Sequence, residues 1–232
     1  IGIYMELEQK IDMAKQLSFC SNKEWLRVYN VETQPPFDLD MRKTNLLDVK
    51  EVLDSVGLKF WLTNGTALAA YRDGDWIPWD DDVDLDVMME DFLPKHDLIK
   101  DLLINKGFVV RSKNIDNPKL AKVAVFRSEN PLSGQKLALR PLYLDPSYQE
   151  NKYRLRQDYK YPKMFYEGNN TSTIEFMGET FNIPSPPEKF IEYAYGKNWN
   201  IPNKSDHEHQ YSPLWIRRGP LNAPDSLVLK GE

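Results

Sequence analysis

Apolar residues recur at helical spacing near the start of the chain, at Ile3, Leu7, Ile11 and Ala14, with Leu17 continuing the stripe. A second amphipathic pattern, Leu46, Val49, Leu53 and Val56, is closed by Gly57 and predicts another helix. Between them, residues 31–37 carry Pro35 and Pro36 and read as a loop. After Gly57 the pattern changes. Residues 58–62 are rich in β-formers and predict a short buried strand, and Thr63-Asn64-Gly65-Thr66 then makes a tight turn. Residues 67–72 predict a helix broken at Gly74.

Residues 83–88 predict the next strand, with Val83, Leu85 and Val87 on one face and Asp84 and Asp86, together with the preceding Asp82, on the other. Residues 90–106 predict a helix ended by Gly107, and strands are expected near 108–110, 122–126 and 137–144. Residues 174–176 and 180–183, joined through Met177-Gly178-Glu179, predict a hairpin. The last clear helix has Ser185 as its expected N-cap, Pro186 in the first turn, Glu188 closing a capping box and Gly196 just past its end. From Trp199 onward the chain is rich in Pro, Trp and Arg and reads as irregular. The sum is an α+β fold: a small mixed sheet flanked by helices, with helical additions at the N-terminus.

Composition narrows the function. Hydrophobic residues make up 41% of the 232 positions, which excludes a disordered scaffold. Thirty basic against 35 acidic residues leave a net charge of −5, which argues against binding duplex nucleic acid by bulk charge. A single cysteine, Cys20, excludes an internal disulfide framework and a cysteine-based zinc knuckle. No apolar run approaches the roughly 18 residues needed to span a bilayer. The chain opens on Ile1 rather than methionine, so a trimmed chain is expected, in which a signal or anchor would not be visible.

The densest chemistry lies in Ile77-Pro78-Trp79-Asp80-Asp81-Asp82-Val83-Asp84-Leu85-Asp86. On a strand, Asp82 and Asp84 point the same way, and like charges this close call for a hard divalent cation. A solvated acidic turn fits poorly, because bulky apolar residues interleave the acids. A calcium loop fits poorly too, since Leu85 stands where that loop needs glycine and Asp91 where it needs Glu. Upstream, Gly65-Thr66 opens a helix whose first backbone amides form an anion site, and Arg72 adds a fork suited to phosphate. Together these point to phosphate chemistry assisted by a metal.

Two blocks of sequence resemble a known family. Gly65-Thr66-Ala67-Leu68-Ala69-Ala70-Tyr71-Arg72 followed by Ile77-Pro78-Trp79-Asp80-Asp81-Asp82-Val83-Asp84 resembles the signature of the LicD and fukutin-related group. Pro187-Glu188-Lys189-Phe190 through Tyr195-Gly196-Lys197-Asn198-Trp199 and Pro202 resembles that group's C-terminal pattern. Asn64 and Ala69 stand where glycine is common in the group. The resemblance implies a nucleotidyltransferase-like fold that moves a phosphoalcohol or sugar phosphate (phosphocholine, ribitol phosphate or mannose phosphate) onto a glycan hydroxyl. The donor implied is a nucleotide diphosphate, a CDP-alcohol before others, and the cofactor Mg²⁺ or Mn²⁺. It makes Asp82 and Asp84 the metal-binding pair, with Asp145 as the expected third carboxylate and proton acceptor. Gly65 and Thr66 become the phosphate turn and Arg72 its arginine. On this reading residues 1–45 are a helical extension, 46–200 the catalytic domain and 201–232 a tail. The compartment would be the cytoplasm for a bacterial protein and the Golgi lumen for a trimmed eukaryotic ectodomain.

Other features are weighed against this. Lys152, Arg154, Arg156, Lys160 and Lys163, interleaved with tyrosines, read either as a solvated positive helix face or as a clamp for donor or acceptor phosphate, with Lys152 and Arg154 the expected donor contacts. Arg217 and Arg218 are a weaker version of the same idea. His207 and His209 flank Glu208 without the further ligands of a zinc site. Asn-x-Ser/Thr sequons begin at Asn64, Asn169, Asn170 and Asn203 and matter only in a secretory lumen. The rival functions are nucleotidyl transfer from a triphosphate on the same fold, and a non-catalytic glycan-binding or regulatory module.

Overall fold

The structure is a computed structural model describing residues 38–78, 80, 82–127, 136–145, 152–156, 159–167 and 172–202. The helix expected over 3–17, the loop at 31–37, Cys20, His207, His209, Arg217, Arg218 and the sequons at 169, 170 and 203 lie outside these residues.

Helix α1 spans Leu39–Ser55, with the Asp38 carboxylate accepting from the Met41 amide at 2.9 Å as its N-cap. It begins several residues before the apolar pattern suggests, because Arg42 and Asn45 are buried along with Leu46, Val49, Val52 and Leu53. The boundary expected at residue 45 falls inside this helix. Strand β1 (Phe60–Leu62) follows, then the short helix α2 (Asn64–Leu68), which widens into a π-turn over Ala69–Asp73. Gly74 ends it at φ +66°.

Strand β2 (Asp82–Met88) leads into α3 (Met89–Phe92), and after Pro94 comes α4 (His96–Asn105). One continuous helix over 90–106 was the expectation. Pro94 has no amide to donate, so the chain passes through a 3₁₀ turn at Leu93–Lys95 instead. Strands β3 (Phe108–Lys113), β4 (Lys122–Arg127) and β5 (Lys136–Leu144) complete the main sheet.

Its order is β1-β2-β5-β4-β3. Only β2 and β5 run parallel; β1/β2, β4/β5 and β3/β4 are antiparallel. The expected mixed sheet with flanking helices is what forms. The second half of β5 pairs with β6 (Tyr153–Arg156), and β6 with β7 (Tyr159–Pro162). The basic stretch is thus two strands, not a helix face. The predicted hairpin forms as β8 (Ser172–Phe176) and β9 (Glu179–Ile183), with Met177 and Gly178 both at positive φ, the geometry of a type I′ turn.

Helix α5 (Pro187–Tyr195) starts one position later than expected. Ser185 does not cap it: its hydroxyl accepts from Ser172 Oγ at 2.8 Å, and Pro186 holds the cap position. Core residues come from one sheet face (Val83, Leu85, Val87, Leu137, Leu139, Val123, Val125) packed with α1, α4 and the aromatic cluster around Phe190. Among the described residues no helix is long and apolar enough to cross a membrane.

Candidate active site

The opposite sheet face carries the acids. Alternation on β2 puts Asp82, Asp84 and Asp86 together, and the parallel register sets them beside Lys136, Ala138 and Arg140 of β5. Lys136 Nζ lies 3.2 Å from Asp82 Oδ2. The Arg140 guanidinium spans the pair, with Nε 2.9 Å from Asp84 Oδ1 and Nη2 3.8 Å from Asp82 Oδ2. The two carboxylates are therefore close enough to share one cation.

The turn before α2 grips Asp84 from the other side. Asn64, at φ +46°, donates from Nδ2 to Asp84 Oδ2 at 3.2 Å, and Tyr161 Oη donates to Asn64 Oδ1 at 3.4 Å. The Asp84 amide donates to Thr66 Oγ1 at 3.0 Å, and the Thr63 amide to the Asp84 carbonyl at 3.2 Å. Asp84 is consequently only 7% exposed. Sequence positions 63–66 and 82–84, read separately as turn and strand, thus form one hydrogen-bonded unit.

Gly65 answers a close approach. A Cβ at this position would overlap Oδ2 of Asp80, whose carboxylate lies against the start of α2. A negative group there is favoured by the helix dipole. The anion at this helix start is the chain's own Asp80. Its backbone carbonyl accepts from Arg42 Nη2 at 2.9 Å, and the Arg42 guanidinium lies 5.4 Å from the centre of the Trp76 ring, so α1 buttresses the acidic loop.

Asp86 is fully buried and accepts from Tyr166 Oη at 2.8 Å. Burial first, and then the Asp86 charge, push the Tyr166 hydroxyl well above its ordinary range, so it remains a donor. Asp86 serves to anchor β2 to the aromatic cluster of Trp61, Tyr161, Tyr166 and Phe190.

The remaining expected site residues are distributed as follows. The structure does not bring Asp145 to the pair: on β5 the residue level with Asp84 is Ala138, and seven further residues, roughly 23 Å of extended contour, separate Ala138 from Asp145. Among the described residues no group of three acidic, His or Cys side chains converges. Arg154 is engaged elsewhere. It is 7% exposed, with Nη2 2.9 Å from Glu90 Oε1 and Nε 2.8 Å from Glu167 Oε1, and it ties β6 to α3. Burial raises the Glu90 carboxyl, but the Arg154 guanidinium outweighs this and holds it below the usual range. Lys152 is exposed at the start of β6, its carbonyl accepting from the Lys163 amide.

Arg72 forks onto Asp73 at 2.8 and 2.7 Å and reaches the Trp199 carbonyl at 3.4 Å, while Tyr71 packs on the Trp199 ring at 5.6 Å. The two family-like blocks of sequence, distant in the chain, therefore touch at Tyr71-Arg72 and Trp199.

The sequence reasoning missed Lys136, Arg140 and Lys122. Burial first, and then Arg140, Lys136 and Lys113, bring the Lys122 amine down to about 8. The signal was present in the alternation of Lys136-Leu137-Ala138-Leu139-Arg140, but only the parallel pairing with β2 gives it meaning.

With this geometry in hand, comparison with known proteins adds the following. Residues 57–186 match the family model described as LicD/FKTN/FKRP, nucleotidyltransferase domain. The human ribitol 5-phosphate transferase FKRP is 28% identical over 178 residues, 73% of this chain and 34% of that protein. The ribitol-5-phosphate transferase FKTN of Macaca fascicularis is 27% identical over 155 residues, 67% of this chain and 32% of that protein. The chain thus spans about a third of the length of these curated relatives. Among solved structures, the lincomycin-bound lincosamide adenylyltransferase LnuA aligns with a TM-score of 0.45 at 11% identity, covering 76% of this chain and 94% of that one. The antibiotic-resistance factor ANT(2'')-Ia aligns with a TM-score of 0.44 at 15% identity, covering 74% and 80%.

Proposed function

Because the chain belongs to the LicD/FKTN/FKRP nucleotidyltransferase-domain family, we propose that its acidic pair transfers a phosphoalcohol from a nucleotide diphosphate donor, a CDP-alcohol, to a glycan hydroxyl. The relatives that match it are by name ribitol-5-phosphate transferases, which favours ribitol phosphate over phosphocholine or mannose phosphate as the group moved. The observation that carries the reading is the Arg140 guanidinium spanning Asp82 and Asp84, since two carboxylates that share one cation can share another.

Asp82 and Asp84 fit a hard divalent ion, Mg²⁺ or Mn²⁺, which takes one or two carboxylates and completes its shell with water and phosphate oxygens. Bound there, such an ion would neutralise the donor's phosphate oxygens and stabilise the charge that builds on the departing nucleotide. Asn64 and Thr66 hold Asp84 in place, and Lys136 and Arg140 offset the negative charge of the pair before substrate arrives. The acceptor oxygen bonds to the phosphorus carrying the alcohol, the bond from that phosphorus to the bridging oxygen breaks, and CMP leaves. The acceptor hydroxyl's proton passes to Asp82, the more exposed of the two carboxylates.

The test is metal-dependent nucleotide release from CDP-ribitol, CDP-choline and GDP-mannose with a glycan acceptor. Asp82→Asn and Asp84→Asn should each lower turnover by about a hundredfold or more while the fold persists. Full activity in either variant would remove the reading. Release of pyrophosphate from a triphosphate, in place of CMP, would mean nucleotidyl transfer. No metal-dependent nucleotide affinity at all would mean a non-catalytic module.

A further inference from the structure

Arg42 is a costly residue where it stands. It is fully buried, and it lies in the first turn of α1, the end at which the helix dipole disfavours a positive group. A charge is kept in such a place only where its bonds offset the desolvation. Two of its contacts lead to the same stretch of chain. Nη2 donates to the Asp80 carbonyl at 2.9 Å, and the guanidinium lies 5.4 Å from the centre of the Trp76 ring.

That stretch is the entry to β2. The Trp76 ring meets Phe176 edge-on at 4.9 Å, Ile77 is buried, and the Asp80 amide donates to the Ile77 carbonyl at 3.1 Å. Arg42 joins the ring at the start of this turn to the carbonyl at its end.

The residue the turn delivers is Asp82. Strand β1 ends at Leu62, level with Leu85, and the bond from the Thr63 amide to the Asp84 carbonyl extends that side by one residue. Asp82 lies two residues further on. Of the strands only β5 reaches it, through the pairing with Lys136. On the β1 side its place depends on the incoming loop, and the carbonyl that Arg42 grips is two residues upstream. Asp84 is held separately, by Asn64, Thr66 and Arg140.

We propose that Arg42 is a positioning residue for Asp82: it fixes the loop ahead of β2 so that the Asp82 carboxylate stands beside that of Asp84. This rests on the two aspartates being the metal pair. It also makes α1, which precedes the residues matched by the family model, part of the unit that builds the site. A loop that shifts moves one ligand and leaves the other, so metal affinity suffers before the fold does.

The test compares Arg42→Met with Val49→Ala, a change at a fully buried position about two turns further along the same helix. The first readout involves neither metal nor donor: hydrogen exchange across residues 77–86. Arg42→Met should speed exchange there by about tenfold, and Val49→Ala should leave it unchanged even at an equal loss of Tm. The second is the Mg²⁺ concentration giving half-maximal nucleotide release from CDP-ribitol. It should rise about tenfold in Arg42→Met and stay as in the wild type in Val49→Ala. Where Arg42→Met melts too low to assay, Arg42→Lys takes its place; it keeps the charge, loses the planar fork, and should move both readouts the same way by about threefold. Unaltered exchange, an unaltered Mg²⁺ dependence, or equal changes in Val49→Ala overturn the positioning role and leave the transferase reading standing. A wild type without metal-dependent release strikes the transferase reading instead, and the exchange result still decides whether Arg42 holds the loop.

Discussion

Arg140→Met should separate the electrostatic role of the site from its packing. The substitution keeps the stem's length and removes the charge that spans Asp82 and Asp84. Removing one partner of a buried ion pair typically costs about 3–5 kcal/mol, because the other charge stays desolvated. Here the loss is softened: Lys136 still stands 3.2 Å from Asp82, and Asn64 still donates to Asp84. The side chains of Arg140 and Asp84 are 16% and 10% exposed, so solvent cannot compensate fully. About 2–3 kcal/mol is therefore expected, which for a domain of this size lowers Tm by about 4–12 °C. The assay is a thermal melt in chelator, repeated with added Mg²⁺. If the aspartates hold a divalent ion, Mg²⁺ should stabilise the variant more than the wild type, since in the wild type the guanidinium competes for the same oxygens. A variant melting within about 1 °C of the wild type in chelator would refute the claim that Arg140 neutralises the pair.

Other consequences are as testable. Gly65→Ala forces the Asp80 carboxylate away from the start of α2 and should cost about 1–3 kcal/mol, read by urea unfolding. Tyr166→Phe leaves the buried Asp86 without its 2.8 Å donor and should destabilise by about 1–3 kcal/mol in the same assay; an unchanged midpoint would dismiss Asp86 as an anchor. The Lys122 amine is depressed in the fold from 10.5 to about 8, so between these values the unfolded chain binds more protons than the folded one. Stability should therefore rise with pH from about 8 to 10.5 relative to Lys122→Met, and the variant should be the more stable near pH 7; parallel curves would contradict this.

Much of the architecture could be read from the chain because local rules set it. The alternation at 82–88 gave β2 and its acidic face, and the Met177-Gly178 pair gave the hairpin turn. What failed did so where a long-range contact decides. Buried Arg42 and Asn45 extend α1 past its apolar stripe. Pairing with β5 turns the basic stretch into strands and buries Arg154 between two glutamates. Asp145 looked well placed because it closes a strand, yet only the β2/β5 register reveals that it lies far along that strand from Asp84. The alternation that puts Lys136 and Arg140 on one face of β5 is visible in the chain, but lysines and arginines on alternating strands are ordinary until the pairing with β2 gives them a partner.

The parallel pairing of β2 with β5 has a kinetic corollary. Its partners are more than fifty residues apart in sequence, so the strand between them, β4, and its neighbour β3 must be accommodated before the acids meet their counter-charges. Such distant closures are slow, because chain entropy is lost before any contact repays it. Until β5 arrives, Asp82 and Asp84 repel one another with nothing to oppose them, and β2 is at its least stable. Newly made chains should therefore assemble the paired acids and their counter-charges late and all at once, and substitutions that weaken β5 should lower the yield of folded protein.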